Sequence, residues 1–503
     1  MYINKNNFKN KQKMKKNFRT IFMSMLAIAT VSSCSKEDIS NMDNQDGKVC
    51  MAISVKKVDN TRAAISRAEV DNTNNTLNDV CVVAYDESGV VLSNTGVTEE
   101  NGAYSFAVST EARQLLMMTS PTTLMRDATA AGDRFTDLQA AITATATDVT
   151  KSAGFTMINE NGLVDIIKEE GNGTVDNPIT LTIGLNRLAS KVTVTVPSTI
   201  TKPTGVTATI KGFLLNGTNN SVVPAPEVKY IKAEETLENA YSVDGNFKIA
   251  YSAGEADAIA ALSWLSSSKT TTTDQSWVAA AEALDTPSTE MFCLENTMHA
   301  DFQDNRNLTK VLVKAEYLPA ATFAAGVSWF RFNGTAYTAA TLKALYATAT
   351  TEQKASLDAF LTHILSDSRS INWQTSTDAD ILTALDAVPH VAYKAATCPD
   401  YAVEFFHKAT CYYNVAIAHI TVEGNEGIIP FGSWGVVRNN AYAISIKEIA
   451  GIGLPYIPDF TDANISDPNN IGGEGLPEDG HVTLKVTVTV NPWLLKKQDV
   501  VLG

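Results

Sequence analysis

No Cys-x-x-Cys pair occurs among the six cysteines, so their spacing fits no zinc pattern. None of the six histidines stands in a His-Glu-x-x-His motif. No Gly-x-Ser-x-Gly elbow is present, and Gly432-Ser433-Trp434-Gly435 lacks that spacing. Walker, Rossmann and EF-hand signatures are missing as well. The paired carboxylates Glu99-Glu100 and Glu169-Glu170 are chain neighbours, which a strand or helix turns to different sides, as on a solvated surface. These absences leave no candidate catalytic residue, no metal-ligand set and no cofactor motif, and they point away from an enzyme. Nor does any stretch reach eighteen apolar residues, so a membrane-spanning helix is not expected.

What is present begins at the N-terminus. Residues 1–20 hold Lys5, Lys9, Lys11, Lys13, Lys15, Lys16 and Arg19 with no acid, followed by the apolar stretch 21–31 and then Val31-Ser32-Ser33-Cys34. A basic region, about eleven apolar residues and small residues before a cysteine describe a signal peptide over 1–33 rather than a span. The small residues before Cys34 match the bacterial lipobox, with cleavage between Ser33 and Cys34 and acylation of the Cys34 thiol. Met14 is a second plausible start, leaving Lys15, Lys16 and Arg19 as the basic region. Losing residues 1–33 removes seven positive charges and no negative ones, taking the formal charge from −15 to −22. A mature surface that acidic argues against nucleic acid or an anionic membrane as partner, so membrane attachment would rest on the lipid.

With 503 residues, 44% of them hydrophobic, the chain can build large cores in two to four domains. Residues 34–50 read as a polar tether and 51–55 as a short alternating strand. The polar stretch 58–79 reads as an exposed loop holding Arg62 and Arg67, each followed by Ala. Strands are expected at 80–85 and 89–92, joined by the turn Asp86-Glu87-Ser88-Gly89, and a partly helical excursion at 133–158. A new alternating run occupies 181–196, and further strands fall at 206–215, 309–317, 327–332, 411–422 and 441–449. Leu342, Leu345 and Tyr346, then Leu357, Phe360, Leu361, Ile364 and Leu365, recur at helical spacing and predict helices over 338–347 and 352–365. Residues 462–480 carry acids and Asn that could hold a calcium ion, but Gly472-Gly473 and Pro477 favour a flexible spacer. Cys398 and Cys411 are near enough in sequence to pair, with buried free thiols as the alternative.

The clearest pattern is at the C-terminus. Val482, Leu484, Val486, Val488 and Val490 fall on one face of an extended strand, and Thr483, Lys485, Thr487 and Thr489 on the other. Burying the five apolar side chains is worth roughly 8–15 kcal/mol as an upper estimate. Ordering ten residues costs a comparable amount, about 1–2 kcal/mol each. Alternation by itself also describes an ordinary terminal strand in its own sheet.

The layout Val436-Val437-Arg438-Asn439-Asn440-Ala441-Tyr442, then a Pro/Asp/Asn/Gly loop, then 481–490 and Asn491-Pro492-Trp493, resembles the C-terminal end of short-fimbria major subunits, the type V pilins of the fimbrillin-like lipoprotein family. That resemblance implies a mainly β fold of two β-sandwich, transthyretin-like domains with small helical insertions. It divides the chain into a signal peptide (1–33), a tether and first strand removed as propeptide (34–62), an N-terminal sandwich (63–186), a C-terminal sandwich with a helical insertion (187–480) and a donor strand (481–503). It implies cleavage by an Arg-specific protease after Arg62, or Arg67 in reserve. It also implies polymerisation in which Val482, Leu484, Val486, Val488, Val490 and Trp493 complete a neighbour's sheet. Ser35-Lys36-Glu37-Asp38 resembles an export tag for surface lipoproteins. The implied partners are further copies of the chain in a head-to-tail polymer, anchor and tip subunits, the protease, and the outer membrane through the precursor's lipid. The implied place is a surface fimbrium supporting adhesion and biofilm. An anchor or tip subunit is the alternative within the family. Outside it stands a surface glycan-binding lipoprotein with Trp264, Trp277, Trp329, Trp373 and Trp434 as sugar platforms.

Overall fold

The apolar run at 80–85 has no polar alternation, as expected of a strand covered on both faces. In the computed structural model, strand β2 (Cys81–Tyr85) is buried at every position. The structure describes residues 48–55, 76–100, 102–141, 146–151, 154–196, 198–219, 221–225, 227–230, 240–243, 262–263, 290–297, 308–365, 370–388, 403–417, 419, 434–457 and 484–492.

In the N-terminal half, β1 (Lys48–Val55), β4 (Ala103–Ser109) and β7 (Ile179–Ile183), with the two-residue strand Glu99–Glu100, form one sheet in the order β7-β1-β4-Glu99–Glu100. A second sheet runs β8-β6-β5-β2-β3, with β3 at Val91–Gly96, β5 at Gln114–Thr119, β6 at Met157–Asn159 and β8 at Leu185–Arg187. Val49, Met51 and Ile53 of β1 meet Val82 and Ala84 of β2 and Leu115 and Met117 of β5 in the core between these sheets. The outer face of the second sheet, with Val83, Tyr85, Leu116 and Met118, is capped by Met125, Leu138 and Val149 from short helices. Among the described residues, the expected excursion at 133–158 is helical at Phe135–Ala140 and Ala146–Val149, and strands follow from Thr150.

The C-terminal half repeats the plan. One sheet runs β11-β9-β17-β18, with β9 at Ala189–Thr195, β11 at Glu290–Leu294, β17 at Asn440–Ile449 and β18 at Leu484–Pro492. Facing it are β10 (Thr207–Asn216), β12 (Lys310–Leu318) and β16 (Thr410–Ala416). Val192 and Val194 of β9 and Tyr442, Ile444 and Ile446 of β17 pack against Phe213, Val311, Val313, Tyr413 and Val415. The fold is therefore mainly β, built from paired sheets. The strand expected over 411–422 ends at Ala416, and residues 418 and 420–433 lie outside the described residues.

Between the paired strands β12 and β16 the chain makes its helical insertion. A small sheet, β14-β13-β15, with β13 at Trp329–Phe332, β14 at Thr335–Tyr337 and β15 at Val403–Phe406, carries helices α1 (Ala339–Thr348), α2 (Thr351–Leu365) and α3 (Asp378–Asp386). Its strands serve two cores, because successive side chains of a strand point to opposite faces. Trp329 and Phe406, stacked 4.2 Å apart, join the sandwich core, whereas Phe330 and Phe405 join Leu342, Leu357, Phe360 and Leu385 under the helices. Trp373 is buried in that second core and donates its indole N–H to the Leu357 carbonyl at 2.9 Å. Trp329 donates to the Tyr317 carbonyl at 3.1 Å. These two tryptophans are core residues and offer no sugar platform; Trp264 and Trp277 lie outside the described residues.

Candidate assembly site

Strand β1 holds a central position, which its eight-residue sequence does not announce. It runs antiparallel to β4, from Lys48 opposite Ser109 to Ile53 opposite Tyr104, and parallel to β7, from Met51 opposite Ile179 to Val55 opposite Ile183. Its alternation turns Val49, Met51 and Ile53 into the core. Burying three such side chains is worth about 5–9 kcal/mol as an upper estimate. Gly173, with φ +89°, brings a turn close enough for its carbonyl to accept from the Cys50 N–H at 2.9 Å. A Cβ on Gly173 would stand 2.7 Å from Val49 Cγ1, so a side chain there would press on β1. Withdrawing β1 would leave β4 and β7 with facing rows of unpaired backbone groups and an apolar trench between them. The expected cleavage residues Arg62 and Arg67 follow β1 in a stretch outside the described residues, as do Ser33 and Cys34 at the lipidation site.

The expected donor run forms a strand, but in its own chain. Strand β18 pairs antiparallel with β17, placing Leu484 opposite Ile449, Val486 opposite Ile446, Val488 opposite Ile444 and Val490 opposite Tyr442. Val482 and Trp493 lie outside the described residues, as does the spacer 462–480. The two strands differ in what their departure costs: β18 is at the edge of its sheet and β1 is in the middle of another.

A polar cluster lies where the N-terminal half hands over to the C-terminal half, around Arg438 and Asn439. Arg438 is buried and forks onto Glu295, with Nε donating to Oε2 at 2.7 Å and Nη2 to Oε1. Its remaining donors reach the carbonyls of Pro224 at 2.7 Å and Val223 at 2.6 Å. A buried guanidinium is tolerated only when paired and hydrogen-bonded in this way. Asn439 takes φ +59°, a left-handed conformation that Asn adopts more readily than most residues. There its Oδ1 accepts from Arg187 Nη1 at 3.1 Å, its Nδ2 donates to Asn186 Oδ1 at 2.7 Å, and its backbone N–H donates to Ala189 O at 3.0 Å. Burial pushes the Arg187 guanidinium down to about 9, so it stays charged at neutral pH. Asn186, the expected boundary residue, thus lies in β8, three residues before the chain enters the C-terminal sheet at Ala189. The Arg438–Glu295 pairing was not legible from sequence, since the partners stand 143 residues apart.

Tyr442, at the third position of β17, links this cluster to His419. The Tyr442 hydroxyl accepts from the Val437 N–H at 2.8 Å and lies 2.9 Å from His419 Nδ1. Burial pushes the His419 imidazole down to about 4. The unfolded chain therefore binds a proton between pH 6.5 and 4 that the folded chain refuses, and stability falls with acid across that window. The folded chain is expected to lose up to about 3 kcal/mol there through this residue, a figure set by the size of the shift. Urea denaturation at pH 7 and pH 4.5 of the native chain and of His419→Gln tests this: the pH sensitivity should shrink in the variant, and equal sensitivity would discount His419.

The thiols of Cys81, Cys293 and Cys411 are buried and free, and burial pushes them up to about 11, 12 and 11. They are unreactive at neutral pH. Cys411, which the sequence allowed to pair with Cys398, is a free thiol in the structure, and Cys398 lies outside the described residues. Among the described residues no group of three or more His, Cys, Asp or Glu side chains could hold a metal ion. No described helix is long and apolar enough to cross a membrane. What the arrangement offers is backbone pairing: β1 lies between two strands of its sheet, and β18 lies at the edge of another.

Residues 404–499 match the family described as major fimbrial subunit protein type IV, fimbrillin, C-terminal. No curated protein matches the chain. Similar solved structures include a fimbrilin from Porphyromonas gingivalis W83, 15% identical, with TM-score 0.39 and covering 89% of this chain and 98% of that one. Another is the tip fimbrial protein Mfa3 of Porphyromonas gingivalis, 9% identical, with TM-score 0.36 and coverage of 89% and 100%. A fimbrial assembly protein from Parabacteroides distasonis ATCC 8503 is 9% identical, with TM-score 0.32 and coverage of 80% and 93%. The matched segment contains β16, β17 and β18 together with Arg438 and Asn439, and over that segment the chain is similar to the C-terminal region of fimbrillin-type fimbrial subunits.

Proposed function

We propose that the chain is a structural subunit of a surface fimbria that polymerises by strand exchange. The precursor is exported as a lipoprotein acylated at Cys34. It is cut by an Arg-specific protease after Arg62 or Arg67, which frees β1 together with the lipid. The C-terminal strand of another copy, through Val482, Leu484, Val486, Val488 and Val490, then fills the vacated place between β4 and β7. Trp493 follows that run as its end anchor.

The observation that carries this reading is the central position of β1, with Arg62 and Arg67 a short way downstream. Before cleavage the trench is filled, so the precursor does not polymerise early. Afterwards the exposed ladder groups and apolar floor are a template for an extended strand. A contact between the C-terminal strand of one copy and the N-terminal sheet of the next is head-to-tail and does not close, which yields a filament. Anchor and tip subunits would end it.

Replacing both Arg62 and Arg67 by Ala tests the processing step. Export should continue, the surface protein should start at acylated Cys34, and the polymer ladder in unheated detergent gels should vanish. Normal fibres from the double variant would place the cut elsewhere.

A further inference from the structure

The slot of β1 and the seat of β18 are joined by one short piece of chain. Strand β7 is the parallel partner of β1, β8 follows after Gly184, and β9 follows after Leu188. Strand β9 pairs in parallel with β17, from Lys191 opposite Ala441 to Thr195 opposite Ser445, and β17 holds β18. Residues 179–195 therefore touch the β1 slot at one end and support the seat of β18 at the other.

Two sets of side-chain contacts reinforce this route. The core containing Val49, Met51 and Ile53 also takes in Phe292 of β11 and Ala441 of β17, both from the C-terminal sheet. Phe292 meets Phe155 edge-on, with ring centroids 5.3 Å apart. Ala441 is itself the register partner of Asn491 in β18. Beside it, Asn439 bridges Asn186, Arg187 and Ala189 immediately before β17 begins.

We infer that occupancy of the β1 slot governs how firmly the chain holds its own β18. Emptying the slot removes three inward side chains from the core on which Phe292 and Ala441 pack, and close-packed interiors relax around such a loss. The relaxation reaches the start of β17 first, where Asn440 and Ala441 face Pro492 and Asn491. The C-terminal end of β18 frays and the strand becomes available to another copy. The same event that opens the acceptor thus readies the donor. This rests on the reading of β1 as the removable strand, but it concerns a single chain and needs no polymer.

Hydrogen exchange on the full chain tests it. Ile53→Glu places a charge in the core and expels β1. The amides of β18 should then exchange about tenfold faster, inside the 5–150-fold range usual for coupled sites, with the largest change toward Asn491. Met51→Ala should act in the same direction more weakly, and it decides the matter if Ile53→Glu does not fold. Asn439→Gly keeps the left-handed backbone and removes the side-chain bridge, so in that background the effect of the β1 variant should drop at least threefold. Exchange in β18 unchanged within twofold, while β4 and β7 accelerate, would overturn the inference. Filaments from cleaved protein alongside unchanged β18 exchange would sink the coupling and leave the proposed function standing. Loosened β18 without filaments would do the reverse.

Discussion

Truncating the chain after Gly480 is expected to abolish filaments completely and to leave a folded, soluble monomer. Strand β18 is an edge strand, and the core of the C-terminal half is assembled by β9, β10, β12, β16 and β17. Tyr442, Ile444 and Ile446 keep their partners across the sandwich when β18 is gone. The newly exposed edge of β17 is blunted by the register shift between Ile446 and Glu448 and by exposed Lys447, features that discourage edge-to-edge association. Assembly loses its donor altogether, so the effect on polymer is all or none, whereas the fold loses one edge ladder and keeps the rest of its core, at a cost in stability. Electron microscopy and light scattering on the truncated, protease-treated chain read both. Ordered filaments from it would remove β18 from the donor role.

Glu295→Ala is expected to destabilise the fold by about 3–5 kcal/mol, because it leaves the Arg438 guanidinium buried without its carboxylate. Val223 and Pro224 would still accept from Arg438, but two carbonyl dipoles do not neutralise a desolvated charge. The double variant Glu295→Leu with Arg438→Met removes both charges and should recover part of the loss. It still orphans those two carbonyls, at about 1–3 kcal/mol for a buried unsatisfied group, so it should fall between the single variant and the native chain. Denaturant midpoints measure the series. A single variant within about 0.5 kcal/mol of native would mean that water or backbone movement rescues the arginine.

How much of this was legible in the sequence depended on the distance over which each feature is decided. Alternation at 441–449 and 481–490 is local, and it gave strands β17 and β18. The apolar run at 80–85 and the leucine spacing of α1 and α2 are local too, and each formed the expected element. Helix α3 is not among the expected elements, although Thr377 and Asp380 cap each other and Ile381, Ala384 and Leu385 recur at helical spacing. The central position of β1 is set by β7, whose residues lie more than 120 positions away, so no local pattern could give it. For the same reason nothing local announces the burial of Arg187 and Arg438, since the acceptors that permit it are distant in the chain. Asn439 offered the one local hint, an Asn-Asn pair at a turn, Asn being among the non-glycine residues that best tolerate a left-handed backbone. Whether the C-terminal strand serves its own chain or another was undecidable from alternation, which suits either seat.

That choice is also where the account is most directly tested. A photo-activated cross-linking residue in place of Val488, carried by fibres sheared from the surface and mapped by mass spectrometry, reports which strand lies beside β18. The account expects cross-links between chains, to peptides containing β4 or β7, with the acceptor chain starting at Ala63 or Ala68. Cross-links confined to β17 of the same chain in intact fibres would contradict it.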